Sequence, residues 1–443
     1  MILARVFSIL TIVTLNNLVI LHGEPTCYDS SKENTNLHLA TKTPYRFISN
    51  YNDSVVTYPG CHPRRIWSVI RHGTRNPKRK IIDAINIKLT NIRNEIIERR
   101  NPKLCPQDIE RLRSWESQIN VDEEKHLTYE GNDELLQLAE RVQNRFPSIL
   151  PEQFDESSYK FKFTDSQRTW KSFESFASGL FGRNNLSKVL HAPPTKRDPI
   201  LRFYKLCSKW AVDVDDNPDA AHEPNEWLKS DEMNNLMQEM RQKLDLPSLS
   251  KGDIVLMYTA CGFETAWYKF NSSPWCSIFT ENQLKILEFY FDLKHYWNDG
   301  YGFEINKMQA CPALKDMVDH LDLNSNHPNS TFYFTHSGAL LKILAHLGLY
   351  RDDFTLTHKD FGKNREWRVG KIDAFASNLV FVSFECSSEP YVLVMHQEQI
   401  VTLPGCPSDT DLCSLATIRK TFEGSLNECD FDDLCENAKS VAP

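Results

Sequence analysis

Residues 64–77 read RRIWSVIRHGTRNP and join a short strand pattern to a cluster of polar groups. Residues 66–70 are β-branched or aromatic at most positions, which is typical of a buried strand. Arg71, His72 and Arg75 follow, together with a glycine and a proline that can turn the backbone. The stretch therefore predicts a strand that ends in two guanidinium groups beside an imidazole.

Two later stretches repeat this order of strand, polar turn and helix. Residues 159–181 read YKFKFTDSQRTWKSFESFASGLF, with Arg168 in the predicted first helical turn. Residues 330–349 read STFYFTHSGALLKILAHLGL, with His336 between the strand and the helix. Such alternation predicts an α/β fold, in which ligands bind beyond the carboxyl ends of the strands. We therefore expect both residues to face one pocket with His72.

The rest of the chain predicts a hairpin and several long helices. Residues 378–386 and 391–400 read NLVFVSFEC and YVLVMHQEQI and are separated by a short turn, which indicates a hairpin that closes the sheet. Amphipathic helical patterns cover about 80–100, 133–146 and 281–297. We expect these helices to form a cap over the sheet.

The composition excludes some classes of function. The chain has 443 residues and a formal net charge of −8, so it is not a nucleic-acid-binding protein by charge. An anion site must then be a local pocket of positive potential in a mildly acidic protein. The length allows one large domain or two ordinary ones.

The first residues predict export. Residues 1–23 carry one arginine before an apolar run, which is typical of a secretory signal peptide. The alternative is a retained membrane anchor, but Asn16 and Asn17 interrupt the run. No other stretch is long and apolar enough to cross a bilayer, so the mature chain is expected to have no transmembrane segment.

Twelve cysteines follow the predicted signal peptide, and an even count in a secreted chain favours disulfides. No CxxC pair or zinc-type spacing occurs, so no metal site is expected. Close pairs are expected to form local loops: Cys261 with Cys276, Cys406 with Cys413, and Cys429 with Cys435. Sequons for N-glycosylation lie at Asn52, Asn185, Asn271 and Asn329.

The clustered residues fit the chemistry of a phosphate monoester, which is a dianion. Arg71, Arg75 and Arg168 can each supply charge-assisted hydrogen bonds worth about 1.5–3 kcal/mol. Cationic surroundings keep His72 neutral, so that it can attack phosphorus. His336 is a further donor, and with arginines neutralising the charge no metal or cofactor is needed.

Several stretches resemble a known family. RHGTRNP, residues 71–77, resembles the signature of the histidine acid phosphatases, which include phytases. Residues 166–181, 261–302 and 403–413 resemble, more narrowly, the multiple inositol polyphosphate phosphatases. The resemblance runs from about residue 61 to 413, which is most of the mature chain.

The resemblance implies a phosphoglycerate-mutase-like α/β fold with a mixed sheet and an inserted helical cap. It implies that His72 is the nucleophile and that Arg71, Arg75, Arg168 and His336 bind phosphate. The implied substrates are inositol polyphosphates, with 2,3-bisphosphoglycerate as a further candidate. We expect one domain over 24–443. Its α/β core is expected over about 45–77, 158–195 and 330–415.

The chain departs from the family pattern at the proton donor. The family places an acid just after the second histidine, but here Ser337 and Gly338 follow His336. A general acid contributes about 10²–10⁴ in rate, and Asp165 and Glu264 are substitutes elsewhere in the sequence. Water-borne protonation, activity on good leaving groups alone, and a pseudophosphatase that only binds phosphorylated ligands are alternatives. We favour an active phosphatase because the phosphate-binding residues are present.

A polyphosphate substrate needs positive charge beyond the first phosphate. The expected specificity rim consists of Lys78, Arg79, Lys80, Lys294 and His295. The alternative for the three that follow the motif is a solvated helix face, and for Lys294 and His295 it is packing in the core. A second candidate set is Lys196, Arg197 and Arg202. The sequence thus predicts a secreted, disulfide-bonded glycoprotein, with the ER lumen or a membrane association as alternative locations and the oligomeric state left open.

Overall fold

A computed structural model of the chain describes residues 38–99, 102–117, 119–270, 273–387 and 389–436. The predicted signal peptide, Cys27 and the sequon at Asn271 lie outside these ranges. Within them, no helix has the length and apolar character needed to cross a membrane.

Within the described residues, seven strands form one mixed sheet in the order β2-β3-β1-β4-β5-β6, with β7 paired to β5. The pairs β1–β3 and β2–β3 are parallel, whereas β4 and β5 form the antiparallel hairpin that the sequence predicts. The α/β class with a mixed sheet is therefore confirmed. The strands are β1 Cys61–Arg71, β2 Tyr159–Phe163, β3 Ser330–Thr335, β4 Asn378–Cys386, β5 Glu389–His396, β6 Gln399–Ile400 and β7 Leu412–Ser414.

Helices fill the connections between the strands. Between β1 and β2 lie α1 Arg79–Asp83, α2 Thr90–Glu98, α3 Pro106–Arg113 and α4 Tyr129–Arg145. Between β2 and β3 lie α5 Gln167–Phe181, α6 Ser208–Trp210, α7 His222–Trp227, α8 Asp231–Leu244, α9 Lys251–Trp267, α10 Pro274–Ser277, α11 Glu281–Asp299, α12 Glu304–Met308 and α13 Cys311–Leu321. After β3 lie α14 Ser337–His346, α15 Val369–Ile372, α16 Leu415–Thr421, α17 Glu423–Asn427 and α18 Phe431–Cys435.

The sheet is buried on both faces. Trp67 of β1 packs into one apolar core with residues of α13 and α14, whereas its neighbour Ile66 packs into a second core with residues of α4 and α5. All six residues of β3 are buried for the same reason. A sheet covered on both sides leaves only its edges and strand ends open to ligands.

The parallel register brings three strand ends together. Arg71 at the end of β1 pairs with Thr335 at the end of β3, and Phe163 of β2 pairs with Phe334. The residues that follow these ends therefore lie at one edge of the sheet, as the repeated sequence pattern predicts.

Five disulfides are described. The expected pairs Cys261–Cys276 and Cys406–Cys413 are confirmed, but the pairing of Cys429 with Cys435 is wrong. Proximity in sequence misleads there because Cys435 packs beside buried Trp210, in contact with a distant part of the chain. The other pairs are Cys61–Cys386, Cys207–Cys435 and Cys311–Cys429.

Candidate active site

A cavity of about 520 Å³ opens at this edge of the sheet, and cationic side chains line it. His72, His295 and His336 also line it. Among the described residues that line the cavity there is no aspartate or glutamate. The cavity therefore has a strongly positive wall, which fits an anionic ligand. The eight cationic residues are Lys42, Arg71, Arg75, Lys78, Lys125, Arg168, Arg202 and Lys294.

His72 follows β1 directly and is buried. Its Nδ1 lies 2.9 Å from the carbonyl oxygen of Gly73. A carbonyl only accepts, so Nδ1 carries the proton and Nε2 keeps its lone pair. Burial and the guanidinium groups of Arg168 and Arg75 hold the pKa of His72 well below its ordinary value. The imidazole is therefore a neutral base or nucleophile.

A close approach between the loop after His72 and helix α4 explains the glycine of the motif. A Cβ on Gly73 would lie 2.4 Å from the carbonyl oxygen of Gly131, and one on Gly131 would lie 2.2 Å from that of Thr74. Gly73 has no positive φ, so the site needs its small size and not a special turn conformation.

Arg71 is held firmly behind His72. Its Nη1 donates to the carbonyl of Asp373 at 2.5 Å, and its Nη2 donates to that of Thr41 at 2.9 Å. The guanidinium also lies 4.7 Å from the ring centre of Phe375. Its buried Nε has no hydrogen-bond partner among the described residues.

Arg75 and Arg168 complete a group of three arginines around His72. Their buried Nε atoms also have no hydrogen-bond partner in the described part of the chain. Burial and neighbouring cations lower the pKa of Arg75 to about 9, and burial lowers that of Arg168 to about 10. Buried donors without partners are costly, so this group is built to be completed by an anion.

His336 is the residue before α14, and its ring lies 5.5 Å from that of His72. Its Nδ1 accepts from Arg168 Nη2 at 3.2 Å, because arginine can only donate. Its Nε2 therefore carries the proton and donates to Thr164 Oγ1 at 2.9 Å. The structure thus brings the predicted residues His72, Arg71, Arg75, Arg168 and His336 into one cavity.

Comparison with protein families gives the decisive observation. Residues 64–397 match the histidine phosphatase superfamily, branch 2. The chain belongs to this superfamily. It is also 31% identical to multiple inositol polyphosphate phosphatase 1 of Drosophila melanogaster, over 98% of this chain and 91% of that protein. The human protein of the same name is 26% identical over 91% of this chain and 89% of its own length.

Solved structures show the same fold. The phytase from D. castellii superposes with a TM-score of 0.72 at 16% identity, covering 93% of this chain and 89% of that one. The multiple inositol polyphosphate phosphatase of Bifidobacterium longum, in complex with inositol hexasulfate, gives 0.68 at 14% identity, covering 86% and 96%. The histidine phosphatase fold and the phosphatase class expected from the sequence are confirmed.

The expected rim of this histidine phosphatase is only partly at the cavity. Lys78, Lys294 and His295 line it. Arg79 does not, and its guanidinium lies 3.7 Å from a carboxylate oxygen of exposed Asp122. The remaining predicted rim residue, Lys80, is exposed and does not line the cavity. Of the second candidate set, Arg202 lines the cavity, whereas Lys196 and Arg197 are exposed elsewhere.

Sequence reasoning missed several residues of the phosphatase cavity. Lys42 comes from a short 3₁₀ helix ahead of β1, and burial beside Arg75 and Lys294 lowers its pKa to about 7. Other missed residues line the cavity from distant segments. Some of them lie in residues 261–302, which carry the family resemblance, but no pattern in the sequence marks any of them as cavity residues, so the tertiary fold identifies them. They include Lys125, Tyr204, Phe263, Tyr290 and Phe291.

Neither proposed substitute acid reaches the cavity. Asp165 is exposed. Glu264 lines a different cavity, where it accepts from Trp115 Nε1 at 2.6 Å and from Ser273 Oγ at 2.5 Å. At the family's usual position, the Ser337 hydroxyl donates to Asp373 and Gly338 lines the cavity.

Proposed function

We propose that the chain hydrolyses phosphate monoesters of inositol polyphosphates through a phosphohistidine on His72. The observation that carries the proposal is a cavity with eight described cations, no described lining carboxylate and, in His72, a neutral, oriented imidazole. The wall is suited to a ligand with several negative charges, and the imidazole to attack on phosphorus.

In the first step, the free Nε–H groups of Arg71, Arg75 and Arg168 bind the phosphate oxygens and His72 Nε2 attacks phosphorus. The bond to the leaving oxygen breaks as the N–P bond forms. His336 accepts a hydrogen bond from Arg168 and so orients that guanidinium toward the phosphate. In the second step, water displaces His72 and inorganic phosphate leaves.

Charge beyond the reacting phosphate supports a polyphosphorylated substrate. Lys42, Lys78, Lys125, Arg202 and Lys294 line the same cavity outside the group of three arginines. Phosphates on other carbons of an inositol ring would meet these cations. The curated relatives from Drosophila melanogaster and Homo sapiens carry the name multiple inositol polyphosphate phosphatase 1. A smaller bisphosphate, 2,3-bisphosphoglycerate, would use fewer of these cations.

The absence of a described carboxylate in the cavity wall favours a second candidate, a pseudophosphatase that binds phosphorylated ligands without efficient turnover. Phosphate release from phytate and from p-nitrophenyl phosphate, with a chelator present and beside His72→Ala, separates the two. Release from phytate that stops in the variant supports the enzyme. Tight binding of phytate without phosphate release from either ester supports the pseudophosphatase and contradicts the enzyme.

Residues 1–23 are proposed to be a signal peptide, and 24–443 one domain with the core segments given above and a helical cap between them. The five described disulfides support passage through an oxidising compartment. N-terminal sequencing of protein secreted by a eukaryotic host tests the cleavage, and a new N-terminus near residue 24 is expected. Endoglycosidase treatment of the same sample tests the sequons.

A further inference from the structure

An inositol oxygen is a poor leaving group and needs a proton as its bond to phosphorus breaks. His72 is the proposed nucleophile. Both ring nitrogens of His336 are engaged, one by Arg168 and the other by Thr164. The third histidine of the cavity wall, His295, has no part in the mechanism so far.

His295 is oriented by a buried carboxylate. Its Nδ1 lies 2.8 Å from Asp299 Oδ2, one helical turn further along α11. The other oxygen of Asp299 accepts from the buried ammonium group of Lys342 at 2.5 Å. Burial alone would raise the pKa of Asp299, but Lys342 and His295 hold it well below its usual range. The carboxylate is therefore charged and keeps the proton of His295 on Nδ1.

The second nitrogen of His295 is available to a ligand. Within the described ranges, Nε2 has no hydrogen-bond partner, and the residue lines the cavity. The pair formed by His295 and Asp299 also lies next to the position where the family resemblance implies an acid. A Cβ on Gly338 would be 3.1 Å from Asp299 Oδ1. The glycine thus leaves room for the carboxylate that orients His295.

We propose that His295 is the proton donor to the leaving inositol oxygen and that Asp299 is its positioning residue. The inference rests on the proposed function of the cavity. As the P–O bond breaks, the leaving oxygen takes the proton from Nε2 of the His295 imidazolium. In the second step, neutral Nε2 takes a proton from the water that attacks phosphohistidine, which restores the imidazolium.

The charges around His295 favour activity at acidic pH. Burial is the largest influence and holds the pKa of His295 below its ordinary value in the empty cavity; Asp299 opposes this shift, and Lys42 and Lys294 add to it. A polyanionic substrate offsets the two lysines, since negative charge favours the imidazolium. Donation requires the charged form, so activity on alkyl esters falls as pH rises through the pKa of His295 in the complex.

The test is the dependence of kcat/KM on the leaving group, because kcat/KM reports transfer to His72 and not the later hydrolysis. His295→Asn keeps a donor for Asp299 but removes the transferable proton. We expect its kcat/KM for phytate and for an alkyl monophosphate to fall about 10²- to 10⁴-fold. For p-nitrophenyl phosphate, whose leaving group needs little protonation, we expect a fall of less than about threefold. The control Lys125→Met removes a cavity cation that is not among the groups shifting the pKa of His295, so it should change kcat/KM for the alkyl and the aryl monophosphate by the same factor.

Asp299→Asn tests the positioning role through a pH profile. Loss of the carboxylate lowers the pKa of His295, so the basic limb of kcat/KM for the alkyl ester should move to lower pH. This change leaves the buried Lys342 ammonium without its ion-pair partner, so Asp299→Asn/Lys342→Met is the second variant if the single one does not fold.

The outcomes separate this inference from the proposed function. Wild-type protein that cleaves neither ester overturns both. The role of His295 alone is overturned if the wild-type protein cleaves both esters and His295→Asn reduces activity on the alkyl and aryl esters equally. It is also overturned if His295→Asn reduces activity on neither ester.

Discussion

The carboxylate of Glu134 accepts two hydrogen bonds from Thr74, one from the backbone amide at 2.7 Å and one from the hydroxyl at 2.9 Å. It also accepts from the backbone amide of Tyr45 at 3.0 Å, through the oxygen that binds the hydroxyl. Both oxygens of one buried side chain on α4 therefore face amide N–H groups. This arrangement fixes the loop that follows His72 against the helix.

Glu134→Gln should destabilise the protein although it is isosteric. Whichever way the amide lies, its NH₂ faces a backbone N–H, so one buried donor loses its acceptor. We expect about 1–3 kcal/mol less stability in denaturant unfolding, with a lower kcat. The control Glu140→Gln, on the exposed side of the same helix, should change stability by less than about 0.5 kcal/mol. Equal stability of the two variants would contradict the conclusion that the Glu134 carboxylate fixes the loop after His72.

Gly131→Ala should prevent the close contact between helix α4 and the loop that follows His72. The added Cβ would lie 2.2 Å from the carbonyl oxygen of Thr74, and neither backbone can yield cheaply. We expect a loss of about 3 kcal/mol or more, at the upper end of overpacking costs, measured by thermal unfolding. Gly252→Ala, near the start of α9, is the matched control. Its Cβ meets nothing closer than 3.7 Å, so its stability should be unchanged or slightly higher.

Arg168→Gln should change the pH dependence of the first step. After burial, the Arg168 guanidinium is the largest influence that lowers the pKa of His72. Its removal raises that pKa, so the nucleophile is protonated at higher pH and the acid limb of kcat/KM for p-nitrophenyl phosphate moves up. Lost phosphate contacts should lower kcat/KM roughly 10- to 100-fold as well. Arg79→Gln, on the exposed ion pair with Asp122, should leave the limb in place.

Gly338→Glu returns an acid to its usual family position, but beside Asp299. In the wild-type background we expect less than about a threefold gain on phytate, because His295 already donates the proton. In the His295→Asn background the gain should exceed about tenfold, since the new side chain replaces the missing donor and its carboxylate neighbour raises its pKa. The comparison needs kcat/KM for phytate and for p-nitrophenyl phosphate. Additive effects in the two backgrounds would show that the two groups do not share one role.

Much of the site was predictable because its residues follow strand ends. Arg71 ends a strand whose apolar pattern is visible in the sequence, and His72 and His336 each follow such a strand directly; parallel pairing brings these ends together. Lys42 and Tyr204 were not predictable, since they come from short segments without a pattern and reach the cavity only through tertiary packing.

The rim residues and the disulfide pairs were also only partly predictable from the sequence. Lys78 and Arg79 are adjacent in sequence, yet one lines the cavity and the other pairs with Asp122, because Lys78 is the extended residue before α1 and Arg79 is the first helical residue. Cys435 bonds to Cys207, 228 residues away, and no local rule of spacing contains that information. The tertiary fold is therefore needed to decide which side chains point into the cavity and which cysteines distant in sequence form a disulfide.

The cationic wall of the cavity has a consequence for the lifetime of the protein. Like charges with unpaired buried donors oppose folding of the empty enzyme, and an anion that fills the cavity removes that opposition by mass action. Inorganic phosphate, the product of the proposed reaction, is such an anion. Where phosphate accumulates, the enzyme should work more slowly and survive longer, so that product inhibition and protection from unfolding are one binding event.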